Sequence, residues 1–164
     1  MFNKIEFILA AVTIIWAIGS FILTRKKELA WKRTEFIVQQ SEFLDTDKDM
    51  REVTLILYGK HTQKNVSDFI TLMKQSKLSI EDEDFIMKFE KYLNFLWRIS
   101  YAYLVLNTLS KKDMNAFGAY FKAVYNHKEL NDYCCEDGYE EIIIAYRKLR
   151  SKRCYLFPFS LFWK

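Results

Sequence analysis

Glycine and proline are nearly missing from this chain, with four and one in 164 residues, where a globular protein carries about 12% of the two together. Sandwiches and barrels place these residues at their many turns, so an all-β fold is excluded. The glycines stand at Gly19, Gly59, Gly118 and Gly138. No GxGxxG or GxxxxGK can be written from those positions, which removes the common phosphate-cradling loops. Cysteine is sparse too. Cys134, Cys135 and Cys154 are odd in number and two are adjacent, which is no disulfide framework and fits a reducing compartment. The two histidines, His61 and His127, share no CxxC or HxxxH spacing with them, so no zinc site and no cofactor are expected.

Other chemistry fails on spacing. Asp45, Asp47 and Asp49 alternate as in a calcium loop, but Met50 and Ile56 stand where that loop needs glycine and a bidentate glutamate. A capped helix start is the expected role of these aspartates. Neither histidine follows an arginine by four to six residues, the arrangement of the helical ribonucleases of bacterial defence systems. Cys134 and His127 are seven apart and share a face only on an unbroken helix. A loop histidine and part-buried thiols are the expectation. With no catalytic constellation in view, the chain is expected not to be an enzyme, and its catalytic, cofactor and metal sites are expected to be none.

What is abundant is apolar and aromatic. Apolar residues make up 51% and aromatics 17%, which argues for order. Phe7–Leu23, FILAAVTIIWAIGSFIL, is free of charge over 17 residues. As a helix it would extend about 26 Å, the lower limit for a hydrocarbon core of ~30 Å. Arg25, Lys26 and Lys27 follow directly, and Arg25 to Arg33 holds five basic residues against Glu28 alone. Such a flank stops transfer and keeps the following chain on the cytoplasmic side, leaving the N-terminus outside. A cleaved signal peptide has only Ala17-Ile18-Gly19 as a weak cleavage site, and the basic block opposes export. A buried core helix would need a polar face that Phe7–Leu23 does not have. The expectation is one transmembrane helix, with Arg25, Lys26, Lys27 and Trp31 at the membrane interface.

The rest reads as all-α. Residues 25–45 continue as a juxtamembrane helix. Thr46 with Asp49 predicts an N-cap, and Gly59 suits the position after that helix. A helix is expected over about 65–77, with Phe69, Ile70 and Met73 inward. Ser79 with Asp82 has capping-box spacing and precedes a long amphipathic helix to about Leu109, on which Phe85, Phe89, Leu93, Leu96, Ser100 and Tyr103 step by three or four. Ser110 with Asp113 caps the next, carrying Met114, Phe117, Phe121 and Val124. Asn126-His127 and Gly138 are breaks on either side of a short helix to about Tyr133. A last helix follows from Tyr139 to about Lys152, with Ile142, Ile143, Tyr146 and Leu149 inward. The fold expected is an N-terminal transmembrane helix and a compact cytoplasmic bundle of about five or six helices. The divisions are an anchor at 1–24, a juxtamembrane helix at 25–45, a bundle at 46–153 and an aromatic tail at 154–164.

Two stretches invite a second reading. Tyr92–Leu109 is long enough for a second span, but Arg98 near its middle costs roughly 2.5–3.5 kcal/mol on insertion scales. A second crossing would also carry the basic residues from Arg147 to Arg153 outside. A buried bundle helix is expected instead, with Arg98, Asn94 and Tyr101 as an ion-pair or hydrogen-bond hub. At the end, five basic residues lie between Arg147 and Arg153, and no acid follows Glu141. An aromatic run from Tyr155 to Trp163 follows. The tail either packs over the bundle or meets the inner leaflet, where each basic residue gains ~1 kcal/mol. Arg150, Lys152, Arg153 and Trp163 are therefore further membrane-interface candidates. Nucleic acid is the less favoured polyanion.

The segments KRTEFIVQQSEFL, DMREVTLILYG and EKYLNFLWRISYAYLVLNTLSKKDMNAFGAYFKAVYNHKELNDY resemble a bacterial family of membrane-anchored helical proteins that is defined only as a domain of unknown function. The resemblance spans about Lys32 to Leu149 and excludes the tail from Arg147 to Lys164. It implies a single anchor in the inner (cytoplasmic) membrane and a cytoplasmic helical domain, and it carries no catalytic residues. The expected function is a single-pass membrane protein with a helical protein-interaction or scaffold domain. Its partners would be the lipid bilayer and a protein or a second copy of itself. The alternative is a membrane-acting effector of a phage-defence or toxin-like system.

Overall fold

The structure, a computed structural model, describes residues 4–60 and 63–151, with backbone alone for 4–8 and 11. Every described element is helical. The order is α1 (Lys4–Thr46), α2 (Lys48–Leu57), α3 (Val66–Leu72), α4 (Ile80–Leu104), α5 (Lys111–Met114), a 3₁₀ turn (Asn115–Phe117), α6 (Gly118–Asn126), α7 (Lys128–Glu136) and α8 (Glu140–Arg150). The chain divides into two units, Met1–Glu42 and Phe43–Lys164.

The described residues of the first unit form helix alone. Along it Leu9, Val12, Ile14, Ile15, Trp16, Ile18, Phe21, Ile22 and Leu23 are all exposed. Within Phe7–Leu23 Thr13 Oγ1 bonds back to the Leu9 carbonyl at 2.8 Å and Ser20 Oγ to that of Ala17 at 2.9 Å. Among the described residues, no helix is long and apolar enough to cross a membrane. The apolar side chains described without interruption begin at Val12, five residues into the run that starts at Phe7.

The second unit is built around α4. Tyr92, Leu93, Leu96, Ile99 and Ser100 are all but inaccessible, and α2, α3 and α8 pack against this helix. α6 and α7 complete the layer against α8. Aromatic rings fill the interior. Phe69 of α3 stacks on Phe89 of α4, centroids 4.5 Å apart, and meets Tyr133 of α7 edge-on at 5.2 Å. Phe85 stands edge-on to Phe89, and Phe95 to Phe117.

The caps explain where the helices begin. Ser79 accepts from Asp82 N, and Ser110 forms a capping box with Asp113. Asn65 and Asp68 do the same for α3. α2 departs from expectation by one residue. Asp47, not Thr46, is its N-cap, accepting from Asp49 N and Met50 N, because α1 runs through Thr46. Its far end is a Schellman turn, with Gly59 at φ +65°, Gly59 N donating to Ile56 O and Lys60 N to Leu55 O.

Several ends fall short of the sequence spacing. α3 stops at Leu72, where bonds from Lys74 to Thr71 and from Gln75 to Leu72 tighten the chain and residues 74–77 are exposed. α4 stops at Leu104 because Asn107 takes φ +52° and both Thr108 N and its hydroxyl bond the Ala102 carbonyl. The single helix expected over 110–126 is three pieces joined through the 3₁₀ turn. The short helix past His127 runs to Glu136, beyond Tyr133, and the last spans Glu140–Arg150. The inward face holds for Met114, Phe117, Phe121, Val124, Ile142, Ile143 and Tyr146, which are buried, whereas Ile70, Met73 and Leu149, also expected inward, are half-buried near the ends of their helices.

Candidate functional site

The interface residues expected near the N-terminus lie on the first unit. Arg25, Lys26, Lys27 and Trp31 are all exposed, Trp31 by 66%. Glu28 takes an ion pair from Arg25 at 3.3 Å, three residues before it, and another from Lys32 at 2.8 Å, four residues after it. The hydrogen bond from Lys32 chiefly holds its carboxyl below the usual range. One carboxylate serves two cations, so the segment keeps its net positive charge.

Arg98 corrects the sequence expectation. It and Asn94 are exposed, because Tyr92, Leu93, Leu96, Ile99 and Tyr103 occupy the buried face of α4 and leave these two on its outer side. Beside them, Trp97 Nε1 donates to Glu141 Oε2 of α8 at 2.9 Å while its ring stacks on Tyr101.

The histidine and cysteine near α7 sit in different surroundings. His127, at the junction of α6 and α7, sets Nε2 2.7 Å from the Leu57 carbonyl. Cys134 is enclosed, and burial pushes its thiol up to about 12. Cys135 beside it is exposed. His61 and Cys154 lie outside the described residues. A cleft of about 480 Å³ opens beside His127, lined by Gly59, Asn65, Ser67, Asn126, Lys128 and Glu129 among others. Within it Ser67 Oγ donates to Glu129 Oε2 at 2.7 Å, and Asn65 N at its rim donates to Asp68 Oδ2 of α3 at 2.7 Å.

The three alternating aspartates hold the fold. Asp45 accepts the Tyr120 hydroxyl at 2.7 Å. Asp47 and Asp49 both take Lys91 of α4. Among the described residues no group of three or more His, Cys, Asp or Glu is placed to hold a metal ion.

The remaining cluster is cationic. Arg147, Lys148 and Arg150 stand in the last turn of α8. The Arg147 guanidinium lies 6.0 Å from the Tyr125 ring centre, that of Arg150 5.8 Å from Tyr146, and the Lys148 ammonium 4.9 Å from Tyr103. Tyr125 and Tyr146 touch each other, centroids 4.9 Å apart. Lys111 arrives from α5 and donates to the Ser151 carbonyl at 2.7 Å and the Lys148 carbonyl at 3.3 Å. No carboxylate pairs with Arg147, Lys148 or Arg150 among the described residues. Of the interface residues expected at this end, Arg150 belongs to the cluster, whereas Lys152, Arg153 and Trp163 lie outside the described residues. Sequence reasoning had the basic run but not Lys111, which is 37 residues from Lys148 and carries no local signal of its neighbour.

No protein-family profile, curated protein or solved structure matches this chain.

Proposed function

We propose that this chain is a non-enzymatic membrane protein, held by its N-terminal helix, whose helical domain recruits or organises a protein partner on the cytoplasmic side. The observation that carries the reading is the stretch Phe7–Leu23. It is free of charge over 17 residues and lies within one unbroken helix. Its described large apolar side chains are exposed. Both of its hydroxyls are satisfied by the helix's own carbonyls, which suits a solvent that offers no hydrogen bonds. The exposed block from Arg25 follows on the side that the positive-inside rule assigns to the cytoplasm.

The interaction role is supported by how the domain's polar groups are spent. Its helix caps and the ion pairs between α2 and α4 are internally bonded, which suits a rigid platform.

Alkaline carbonate extraction of membranes bearing the full chain tests the anchor. The chain should stay in the pellet, and the double variant Ile15→Lys, Ile18→Lys should be released, since each centre-of-helix lysine costs roughly 2.5–3.5 kcal/mol. Release of the unaltered chain would overturn the reading. Crosslinking in native membranes, read by mass spectrometry, tests the recruiting role. A discrete second protein joined to residues of the helical domain is the expected result.

A further inference from the structure

We propose that the C-terminal end of α8, with Lys111 beside it, is a docking surface for anionic phospholipid headgroups. The proposal deepens the membrane-anchored reading and rests on it only for bringing the domain close to a bilayer. Four cations meet here. Arg147, Lys148 and Arg150 come from one helical turn, and Lys111 from α5. Basic residues at a helix C-terminus ordinarily serve the last carbonyls. Here Lys111 already bonds two of them, at Lys148 and Ser151, and the three α8 cations have no ion pair among the described residues. Their charge is therefore available to an outside anion.

The tyrosines decide which anion. A single-stranded nucleic acid is held by bases stacking on open aromatic faces. Tyr103 and Tyr146 are only 6% and 7% exposed, and Tyr103, Tyr125 and Tyr146 each already have a cation within 6.0 Å of the ring centre. They are not free platforms. They hold the cations outward, a weak attraction that orders long side chains. Ordered guanidinium groups match phosphate oxygens two at a time. The chain then continues with Lys152 and Arg153 and no acid, so the positive character does not reverse along the sequence.

The test floats the full chain on vesicles of phosphatidylcholine, or of phosphatidylcholine mixed with phosphatidylglycerol, and maps lysine acetylation by mass spectrometry. Lys148 should lose reactivity severalfold on the anionic vesicles and not on the neutral ones. The loss should vanish at high salt, and exposed Lys74 should not change. The double variant Arg147→Gln, Arg150→Gln should restore Lys148 reactivity, since each cation near such a surface is worth about fivefold in partitioning. Equal Lys148 reactivity on both vesicles would overturn the proposal. Protection by added RNA without protection by phosphatidylglycerol would overturn it in favour of nucleic acid. The two readings separate cleanly. A chain that floats only with the anionic vesicles sinks the anchor and supports the docking surface. A chain that floats with both, with Lys148 indifferent to lipid, keeps the anchor and sinks the surface. A chain that floats with neither sinks both.

Discussion

Lys91 donates to both carboxylate oxygens of Asp47, at 3.0 and 2.9 Å, while Asp47 Oδ1 accepts the backbone N–H of Asp49 and Met50 at 3.0 and 3.1 Å. One side chain thus caps α2 and ties it to α4. The hydrogen bond from Lys91 is the main reason the Asp47 carboxyl lies below 3.8, and the bonds to Asp49 and then Asp47 hold the Lys91 ammonium above 10.5. A depressed carboxyl stabilises above its unfolded value and loses that as pH falls through the folded one. A raised ammonium stabilises below its unfolded value and loses that as pH climbs through the folded one. The clamp is therefore complete from 3.8 to 10.5. Asp47→Ala, which removes cap and clamp, should cost about 1–2 kcal/mol. Asp47→Asn keeps a capping oxygen and should cost less than about 1 kcal/mol, the worth of a part-exposed pair. Urea denaturation of the full chain in detergent, repeated across pH, checks both, and the deficit of Asp47→Asn should shrink below pH 3.8.

Much of this was legible in the residues. Ser79 and Ser110 each stand three before an aspartate, and both cap as that spacing demands. Gly59 closes α2 because only glycine takes its positive φ without strain. The apolar steps of α4 and α6 named their buried faces. The N-cap of α2 was not decidable locally, since Thr46 and Asp47 are both good caps and the length of α1 settles the choice. Arg98 misled because its immediate neighbours are apolar. Its exposure follows from which face α2, α3 and α8 cover, a property of the packed bundle. The clamp from Lys91 joins residues 44 apart, and the approach of Lys111 to α8 spans a similar separation. Such pairings are invisible to periodicity, which reads neighbours within a turn or two.

Phe69, the single ring on α3, should be costly to remove. It has no exposed surface and joins three helices through Phe89 and Tyr133. Phe69→Ala should destabilise the chain by about 3–5 kcal/mol, the range for a truncated core aromatic. Phe69→Leu, which refills most of the volume, should recover a good part of that loss. Denaturation midpoints in detergent give the comparison, and near-equality of Phe69→Ala with the unaltered chain would contradict the packing described.

Gly138 isolates a backbone effect. It takes φ +81° between α7 and α8, and a Cβ placed there would meet nothing within 4 Å. Tyr139 N donates across this turn to Cys134 O at 2.9 Å, and Tyr139 stacks over Tyr133. Any loss on Gly138→Ala is then conformational strain, about 1–2 kcal/mol. Gly118→Ala is the control, since Gly118 has no positive φ and equal room around its Cα. It should be neutral or slightly stabilising, because alanine favours the helix.

The adjacent thiols should differ sharply in reactivity. Cys134 is fully buried in the fold and burial pushes its thiol up to about 12, whereas Cys135 faces outward from the next position on α7. The thiolate is the reacting species, so burial and the raised thiol both hold Cys134 back, while Cys135 is open to reagent. Brief treatment of the native chain with iodoacetamide near neutral pH should modify Cys135 and spare Cys134, resolved by peptide mass spectrometry. Urea should equalise the two. Gly138→Ala provides a link between the experiments. Tyr139 is the first residue past that glycine and bonds the Cys134 carbonyl, so strain at the turn should loosen the end of α7. Cys134 should then label faster in this variant than in the unaltered chain under native conditions, by about the factor of five to thirty that 1–2 kcal/mol represents.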